Sequence, residues 1–130
     1  MKIHMTLLYH NHSHEFEMID HQYKLDLLLE AVDGMKLELD TCWVSHGKVD
    51  VLTYMENNKN KIDLVHIKDI EYSGDDYILR ELGSGCLPIE QIIDKSKEIG
   101  LDWIIVENYM HKPEGMSNIT KSMEFLRRIL

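Results

Sequence analysis

The amino-acid sequence alternates four times between a short apolar run and a longer stretch with helical periodicity. Such alternation is typical of βα units whose strands pair into a parallel sheet. The four apolar runs are Met5–Tyr9, Met35–Trp43, Ile62–Ile70 and Trp103–Val106. We therefore predict an α/β fold with four parallel strands, each followed by a helix, in a single domain over residues 1–130.

Glycine and proline residues mark where the predicted helices begin and end. Gly34 and Gly100 stand where a helix C-cap is expected, and Pro88 stands at a helix start. The longest connection, Glu71–Leu87, is rich in glycine and acidic residues and is predicted to be a functional loop. The predicted helices are Leu25–Val32, Val49–Asn58, the segment from Pro88 to Ile99, and a last helix with Ile119, Met123, Leu126 and Leu130 on one stripe.

The composition disfavours several classes of protein. A formal net charge of −9 argues against a nucleic-acid partner, because such partners are usually bound by a basic patch. No apolar run approaches the ~20 residues that span a bilayer, and the N-terminus lacks a cleavage-type signal. Cys42 and Cys86 have no CxxC spacing and are expected to be reduced thiols. We expect a cytoplasmic protein that contacts neither nucleic acid nor membrane.

A potential metal ligand follows each of the four apolar runs at the same place. These residues are His10, Asp40, His66 and Glu107. The C-terminal ends of parallel strands in a barrel converge on one face, where active sites of this architecture are built. Taken singly, such residues commonly cap helices or satisfy loops, but four in register favour a site. Imidazole nitrogen and carboxylate oxygen without thiolate suit Mn²⁺, Zn²⁺, Co²⁺ or Mg²⁺.

Side-chain alternation places further polar residues near these strand ends. Lys68 shares a strand face with His66, where it is expected to bind a sugar oxygen, to stabilise an enediolate, or to pair with Asp69 or Asp40. Glu38 faces inward beneath Asp40, and an ionised carboxylate there needs a partner. The candidates for that partner are Lys36 and Lys68.

Four other residues are candidates for the wall of the site. His12 points the same way as His10, and Glu15 follows closely, where it is expected to contact substrate or to orient a histidine. Trp43 is expected in the core or the pocket wall. Glu81 opens the sequence Glu81-Leu82-Gly83-Ser84-Gly85, whose glycines permit a tight turn or a close approach to a ligand, or simply a loop.

These motifs together resemble those of a known family. They are Tyr9-His10-Asn11-His12 with Glu15-Phe16, Leu39-Asp40-Thr41 with Trp43, Val65-His66-Ile67-Lys68-Asp69, Glu81-Leu82-Gly83-Ser84-Gly85, and Val106-Glu107. In this order they resemble the sugar phosphate isomerase/epimerase family of xylose isomerase-like TIM barrels, whose relatives include inosose dehydratase and ketose 3-epimerases. The likeness covers nearly the whole chain.

The resemblance implies a fold and a set of metal ligands. Full family members are eight-stranded barrels of about 250 residues or more, so this chain is expected to form the C-terminal half, a partial TIM barrel. Asp40, His66 and Glu107 match three of four family ligands, and the fourth is either His10 or His12. Ketose epimerases use a glutamate at the position of His10, paired with the one matching Glu107 for proton transfer. Here an imidazole would oppose Glu107.

Our leading hypothesis is a metal-dependent isomerase or epimerase of a sugar or sugar phosphate, with an inosose dehydratase-like reaction as one form. Glu107 and a group at His10, His12 or Lys68 would transfer a proton next to a carbonyl. The alternatives are a non-catalytic half-barrel that binds metal or a partner, and an abasic-site endonuclease-like hydrolase, which the acidic charge disfavours. Four parallel strands leave two open edges, so we also expect a homodimer that completes a barrel.

Overall fold

The computed structural model describes residues 5–109 and 114–130. Its strands are β1 (Leu8–His10), β2 (Met18–Ile19), β3 (Gln22–Tyr23), β4 (Lys36–Asp40), β5 (Ile62–Ile67), β6 (Asp69–Ser73), β7 (Asp76–Arg80) and β8 (Ile104–Val106). Its α-helices are α1 (Lys24–Ala31), α2 (Thr41–His46), α3 (Val51–Asn57), α4 (Ile89–Glu98) and α5 (Met116–Ile129). Within these residues no helix has the length and apolar character needed to cross a membrane.

The central sheet of the described residues has four parallel strands in the order β1-β4-β5-β8. Tyr9 lies opposite Leu37 in the first pair, Asp40 opposite His66 in the second, and His66 opposite Ile105 in the third. The four strands therefore all run in the same direction. Each pairs with the strand of this sheet that comes next along the chain, as in the wall of a βα barrel. The prediction of an α/β fold with four parallel strands is confirmed.

One face of this sheet is buried under the helices. Leu37 and Leu39 of β4 and Val65 and Ile67 of β5 are fully buried, because alternate residues of a strand point to the same face. The helices contribute Leu25, Leu29, Val51, Met55, Ile89, Ile92 and Ile93 to the same cluster. The α4 residues recur at helical spacing, as their sequence pattern predicts, so the helix lays one apolar stripe on the sheet.

The opposite face of the sheet is open. Leu8 and Leu64 are half-buried, Ile105 is exposed, and Trp103 is 70% exposed. A concavity of about 430 Å³ lies between Leu8, Leu64, Trp103 and their neighbours. In a closed barrel such residues would line the interior.

Two expectations about local structure are wrong. The segment predicted as a long loop contains an antiparallel hairpin, β6–β7, in which Tyr72 pairs with Tyr77 and Gly74 has a φ of 62° in the turn. The second apolar run does not continue as a strand to Trp43, because the Asp40 side chain caps α2 and turns the chain into a helix there. Trp43 therefore stands on the first turn of α2.

Candidate metal centre

Four side chains gather where the parallel strands end. His10 ends β1, Asp40 ends β4, His66 lies one residue before the end of β5, and Glu107 directly follows β8. Each offers one nitrogen or oxygen atom, and these four atoms lie within 4.8 Å of one another. Strand register produces this convergence, since Asp40 and His66 are direct neighbours across the β4–β5 pair. We call these four residues the metal cluster because their side chains could hold one ion together.

Asp40 is fixed at the centre of this metal cluster. Its backbone N–H donates to Asn11 Oδ1 at 2.9 Å, and Asn11 Nδ2 donates to its carbonyl at 3.3 Å. Its Oδ1 accepts from the backbone N–H groups of Cys42 and Trp43, both at 3.1 Å. These bonds occupy Oδ1 and direct Oδ2 toward the open side, where it lies 3.2 Å from His10 Nε2. Asn11 is thus a supporting residue that the sequence patterns did not single out.

Lys68 joins two acidic members of the metal cluster. Its Nζ lies 2.7 Å from both Asp40 Oδ2 and Glu107 Oε2. Burial alone would lower the pKa of Lys68, but the two carboxylates outweigh it and raise that pKa. Of the two expected partners, Asp40 is therefore confirmed and Asp69 is wrong. A charged ammonium is held where Asp40 and Glu107 face each other.

The pKa values of Glu107 and His10 are shifted in opposite directions by different neighbours. Burial would raise the pKa of Glu107, but hydrogen bonds from Lys68 and His66 lower it below its ordinary value. The hydrogen bond to Asp40 raises the pKa of His10 against the effect of burial. At neutral pH the metal cluster therefore holds an ionised carboxylate at Glu107 and an imidazole at His10 that readily takes a proton.

Glu38 belongs beside the metal cluster, although the sequence pointed to other contacts. Its Oε1 lies 2.5 Å from His66 Nε2 and 3.4 Å from His10 Nδ1. The expected partners are wrong, because Lys36 contacts Asn60 and Asp63 instead, and Lys68 contacts Asp40 and Glu107. The signal for Glu38 was its position two residues before Asp40, on the same strand face.

The contacts of the two His66 ring nitrogens indicate whether the metal cluster could hold a metal ion. Its Nδ1 lies 3.0 Å from Glu107 Oε2. Its Nε2 is buried and has no hydrogen bond of acceptable geometry, even though Glu38 Oε1 is close. A buried ring nitrogen without such a bond is rare. A cation next to His66 Nε2 would accept the lone pair of that nitrogen. The nitrogen and carboxylate donors of the metal cluster fit a hard or borderline divalent metal.

Three of the predicted wall residues surround this metal cluster. The His12 ring stacks 5.5 Å from His10 and 5.8 Å from Trp43. Glu15 accepts from the Tyr9 hydroxyl at 2.8 Å and from the His12 backbone N–H at 3.0 Å, which fixes the loop after β1. Lys68 Nζ lies 5.4 Å from the centre of the Trp43 ring. His12 and Trp43 thus lie next to the four clustered side chains, and Glu15 is joined to them through His12.

Glu81 lies elsewhere. It is buried and contacts Lys121 of α5 at 3.2 Å and Arg80 at 3.7 Å. Its part in substrate binding stays a prediction.

The glycine-rich sequence after Glu81 is held by Asp69, which sequence reasoning missed. The Asp69 carboxylate accepts from four backbone N–H groups at 2.9–3.1 Å, those of Ile70, Gly83, Gly85 and Leu87. A Cβ on Gly85 would lie 2.3 Å from Asp69 Oδ1. These loop N–H groups therefore bind a carboxylate of the chain itself.

The fold and this set of side chains define a class of proteins, the parallel βα barrels with a His/Asp/Glu cluster at the strand ends. A family model described as a xylose isomerase-like TIM barrel matches residues 2–129. The chain belongs to this family, which confirms the resemblance in its motifs. A comparison with curated proteins finds no match.

Solved structures agree with this family and show how much of the fold is present. A sugar phosphate isomerase/epimerase from Parabacteroides distasonis is 30% identical, with a TM-score of 0.73 over 92% of this chain and 44% of that one. A second from the same organism is 23% identical, with a TM-score of 0.75 over 93% and 45%. A xylose isomerase domain protein from Planctomyces limnophilus is 16% identical, with a TM-score of 0.69 over 92% and 43%. The chain spans less than half the length of these structures, so the prediction of a partial TIM barrel is confirmed.

Proposed function

We propose that this chain is the C-terminal half of a metal-dependent sugar isomerase or epimerase, with the divalent metal held by His10, Asp40, His66 and Glu107. The observation that carries the proposal is the approach of their four ligand atoms to within 4.8 Å of one another. The relative that is 30% identical is named as a sugar phosphate isomerase/epimerase, which supports an isomerase or epimerase reaction on a sugar-derived substrate. Mn²⁺, Zn²⁺, Co²⁺ and Mg²⁺ all suit such donors.

The metal, when bound, polarises the sugar carbonyl and the oxygen beside it. Lys68 and Glu107 have separate roles beside the metal site. Lys68 keeps its proton, so its ammonium can neutralise negative charge that develops on a sugar oxygen, provided that a substrate oxygen displaces one carboxylate contact. Glu107 is ionised and accepts the proton from the carbon next to the carbonyl.

His10 is the candidate for the opposing proton donor. Its hydrogen bond to Asp40 raises its pKa, which favours an imidazolium in the protein without metal. If His12 takes the fourth ligand position instead, His10 is free to donate that proton on the face opposite Glu107. Asn11, through its two hydrogen bonds to the Asp40 backbone, keeps the end of β4 at a fixed distance from β1.

The experiment that tests the proposal measures metal content and turnover together. The chain, loaded with Mn²⁺ or Co²⁺, is assayed for proton exchange at the carbon next to the carbonyl on a panel of ketoses, inososes and keto-glycosides. We expect one metal per chain and exchange on at least one class of substrate. Metal binding without exchange would favour a half-barrel that binds metal without turnover, and no stoichiometric metal would contradict the proposal itself.

A further inference from the structure

A row of aromatic side chains leads away from the metal cluster along α2 and the β6–β7 hairpin. We call it the aromatic shelf, and its members are His12, Trp43, His46, Tyr72 and Tyr77. Ring centres lie 5.8 Å apart between His12 and Trp43, 6.0 Å between Trp43 and Tyr77, and 4.8 Å between Tyr77 and His46. The Tyr72 ring lies nearly parallel to that of His46 at 5.9 Å, and its hydroxyl is 3.1 Å from His46 Nδ1.

The aromatic shelf is continuous with the metal cluster. Lys68, which bonds Asp40 and Glu107, also lies over the Trp43 ring at 5.4 Å. His12 stacks 5.5 Å from His10. A molecule held by the metal cluster therefore has its next few atoms beside Trp43.

One side of the aromatic shelf packs against buried residues, and the other side is accessible to solvent. Cys42, Ile70 and Leu79 form a small buried cluster that joins the hairpin to α2, with Tyr72 packed against it. Tyr77 shares a strand face with buried Leu79 but is itself 43% exposed. His12 is exposed, and Trp43, His46 and Tyr72 are half-buried. The shelf is therefore a fixed surface that a ligand can reach.

The charges around the aromatic shelf suit an uncharged ligand. Lys68 lies over the Trp43 ring, but its charge is already matched by Asp40 and Glu107, both at 2.7 Å. Glu71 and Asp76 alternate with Tyr72 and Tyr77, so these carboxylates point to the other face of the hairpin. Lys48 lies over Tyr72 at the end farthest from the metal cluster. Burial lowers the pKa of His46, so its ring is neutral at pH 7. Trp43 and Tyr77, which lie between the two lysines, therefore form an apolar surface that suits a neutral ring better than a phosphate.

We propose that the aromatic shelf binds a second, uncharged ring of the substrate, so that the substrate is a neutral glycoside rather than a sugar phosphate. This inference rests on the proposed function and names the substrate class of the same site. The negative face of an aromatic ring attracts the partly positive C–H groups on the face of a pyranose. The Trp43 and Tyr77 rings stand at 89° to each other, so a sugar ring on the face of one lies against the edge of the other, and both contacts remove apolar ring surface from water.

The test uses three ligands that share one ketose. D-fructose, isomaltulose, which carries a neutral glucose on O6, and fructose 6-phosphate, which carries a phosphate on the same oxygen, are titrated calorimetrically into the Mn²⁺-loaded chain. We expect isomaltulose to bind about three- to tenfold tighter than fructose, the size of an aromatic contact. Fructose 6-phosphate is expected to bind no tighter than fructose.

Two variants locate the extra affinity. Tyr77→Ala should remove the advantage of isomaltulose while leaving fructose affinity unchanged. Ile78→Ala is the matched control, because Ile78 is also 43% exposed but points to the other face of β7, and it should retain the advantage. An isomaltulose affinity equal to that of fructose, or an advantage that survives Tyr77→Ala, would overturn this inference alone. Tightest binding by fructose 6-phosphate would also overturn it. If none of the three sugars binds the Mn²⁺-loaded chain, this inference is wrong, whereas the proposed function fails only if proton exchange is also absent on the whole panel of ketoses, inososes and keto-glycosides.

Discussion

Lys68 illustrates how a single residue stabilises the metal cluster before any metal is bound. Asp40 is fully buried and Glu107 is half-buried, and both carboxylates point toward the same space. Without Lys68 the two carboxylates would repel one another, and buried Asp40 would keep only its hydrogen bonds to His10 and to the backbone, which is a large penalty. Lys68 supplies one positive charge at 2.7 Å from each.

Lys68→Met should therefore destabilise the metal-free chain by about 3 kcal/mol, because it leaves Asp40 buried without its partner. Urea unfolding followed by circular dichroism measures the change. The matched control is Lys97→Met, since Lys97 is exposed and pairs with Asp94 only at 3.6 Å, and it should change the free energy of unfolding by less than about 0.5 kcal/mol. An equal loss of unfolding free energy in the two variants would show that the ion pairs of Lys68 stabilise the chain no more than that of an exposed lysine.

Glu107→Gln separates proton transfer from metal binding. A glutamine keeps an oxygen at this position but cannot accept the substrate proton, so exchange at the carbon next to the carbonyl should fall by about 10²–10⁴-fold. Metal content should stay close to that of the unmodified chain because three other ligands remain. Glu124→Gln, on the exposed surface of α5, is the control. Unchanged exchange in Glu107→Gln would remove Glu107 from the catalytic role.

At the scale of elements, the hairpin is held to the rest of the chain through Asp69 and the glycine-rich loop. Gly85→Ala should destabilise the chain by about 1–3 kcal/mol, because its Cβ would lie 2.3 Å from Asp69 Oδ1 and 2.4 Å from the Ile70 carbonyl. Gly74→Ala in the hairpin turn is the control, since it has open space and a φ of 62°. It should lose only about 1 kcal/mol. A larger loss in Gly74→Ala than in Gly85→Ala would contradict this account of the loop.

The elements that periodicity predicted correctly are those whose pattern is set by one buried face. The strands around Leu37 and Val65 and the helix with Ile89, Ile92 and Ile93 all bury such a face. The β6–β7 hairpin was missed because half of the residues of its two strands are exposed. In a segment rich in glycine and acidic residues, too few apolar residues mark a buried strand face. Trp43 was placed on a strand because an apolar run does not reveal that Asp40 caps a helix.

The residues of the candidate site were likewise predicted only in part. Strand-end position predicted that His10, Asp40, His66 and Glu107 would be neighbours, because register in a parallel sheet follows from the apolar pattern. The roles of Asp69 and Asn11 could not be predicted, since each depends on which backbone groups a loop brings near. Glu38 was placed on the correct face, but its partners were not, because charge alone does not select between a lysine and two histidines.

At the scale of the whole molecule, the open face of the sheet predicts association. Ile105 and Trp103 on this face are 37% and 70% exposed, and the outer edges of β1 and β8 have no neighbour among the described strands. We predict that two copies pair edge to edge, β8 of one with β1 of the other, and so close an eight-stranded barrel. Sedimentation equilibrium at several dilutions should give a dimer of this 15.3 kDa chain.

Trp103→Glu should weaken that dimer at least about tenfold, because it places a charge in the apolar interior of the barrel. Met116→Glu is the control, since Met116 is 73% exposed at the start of α5, on the outer layer, and it should leave the dimer intact. A folded species near 15.3 kDa at every dilution would contradict association of the unmodified chain.

The most direct test of the central claim is the position of a bound metal ion. Crystals of the chain grown with Mn²⁺ should show one anomalous-scattering peak per chain between His10, Asp40, His66 and Glu107, with ligand distances of roughly 2.0–2.6 Å. The peak should lose part of its occupancy in Asp40→Asn, because an amide is a poorer ligand for a hard cation than a carboxylate, although three other ligands remain. A peak bound by other residues, or no peak at these four side chains at saturating Mn²⁺, would contradict the account.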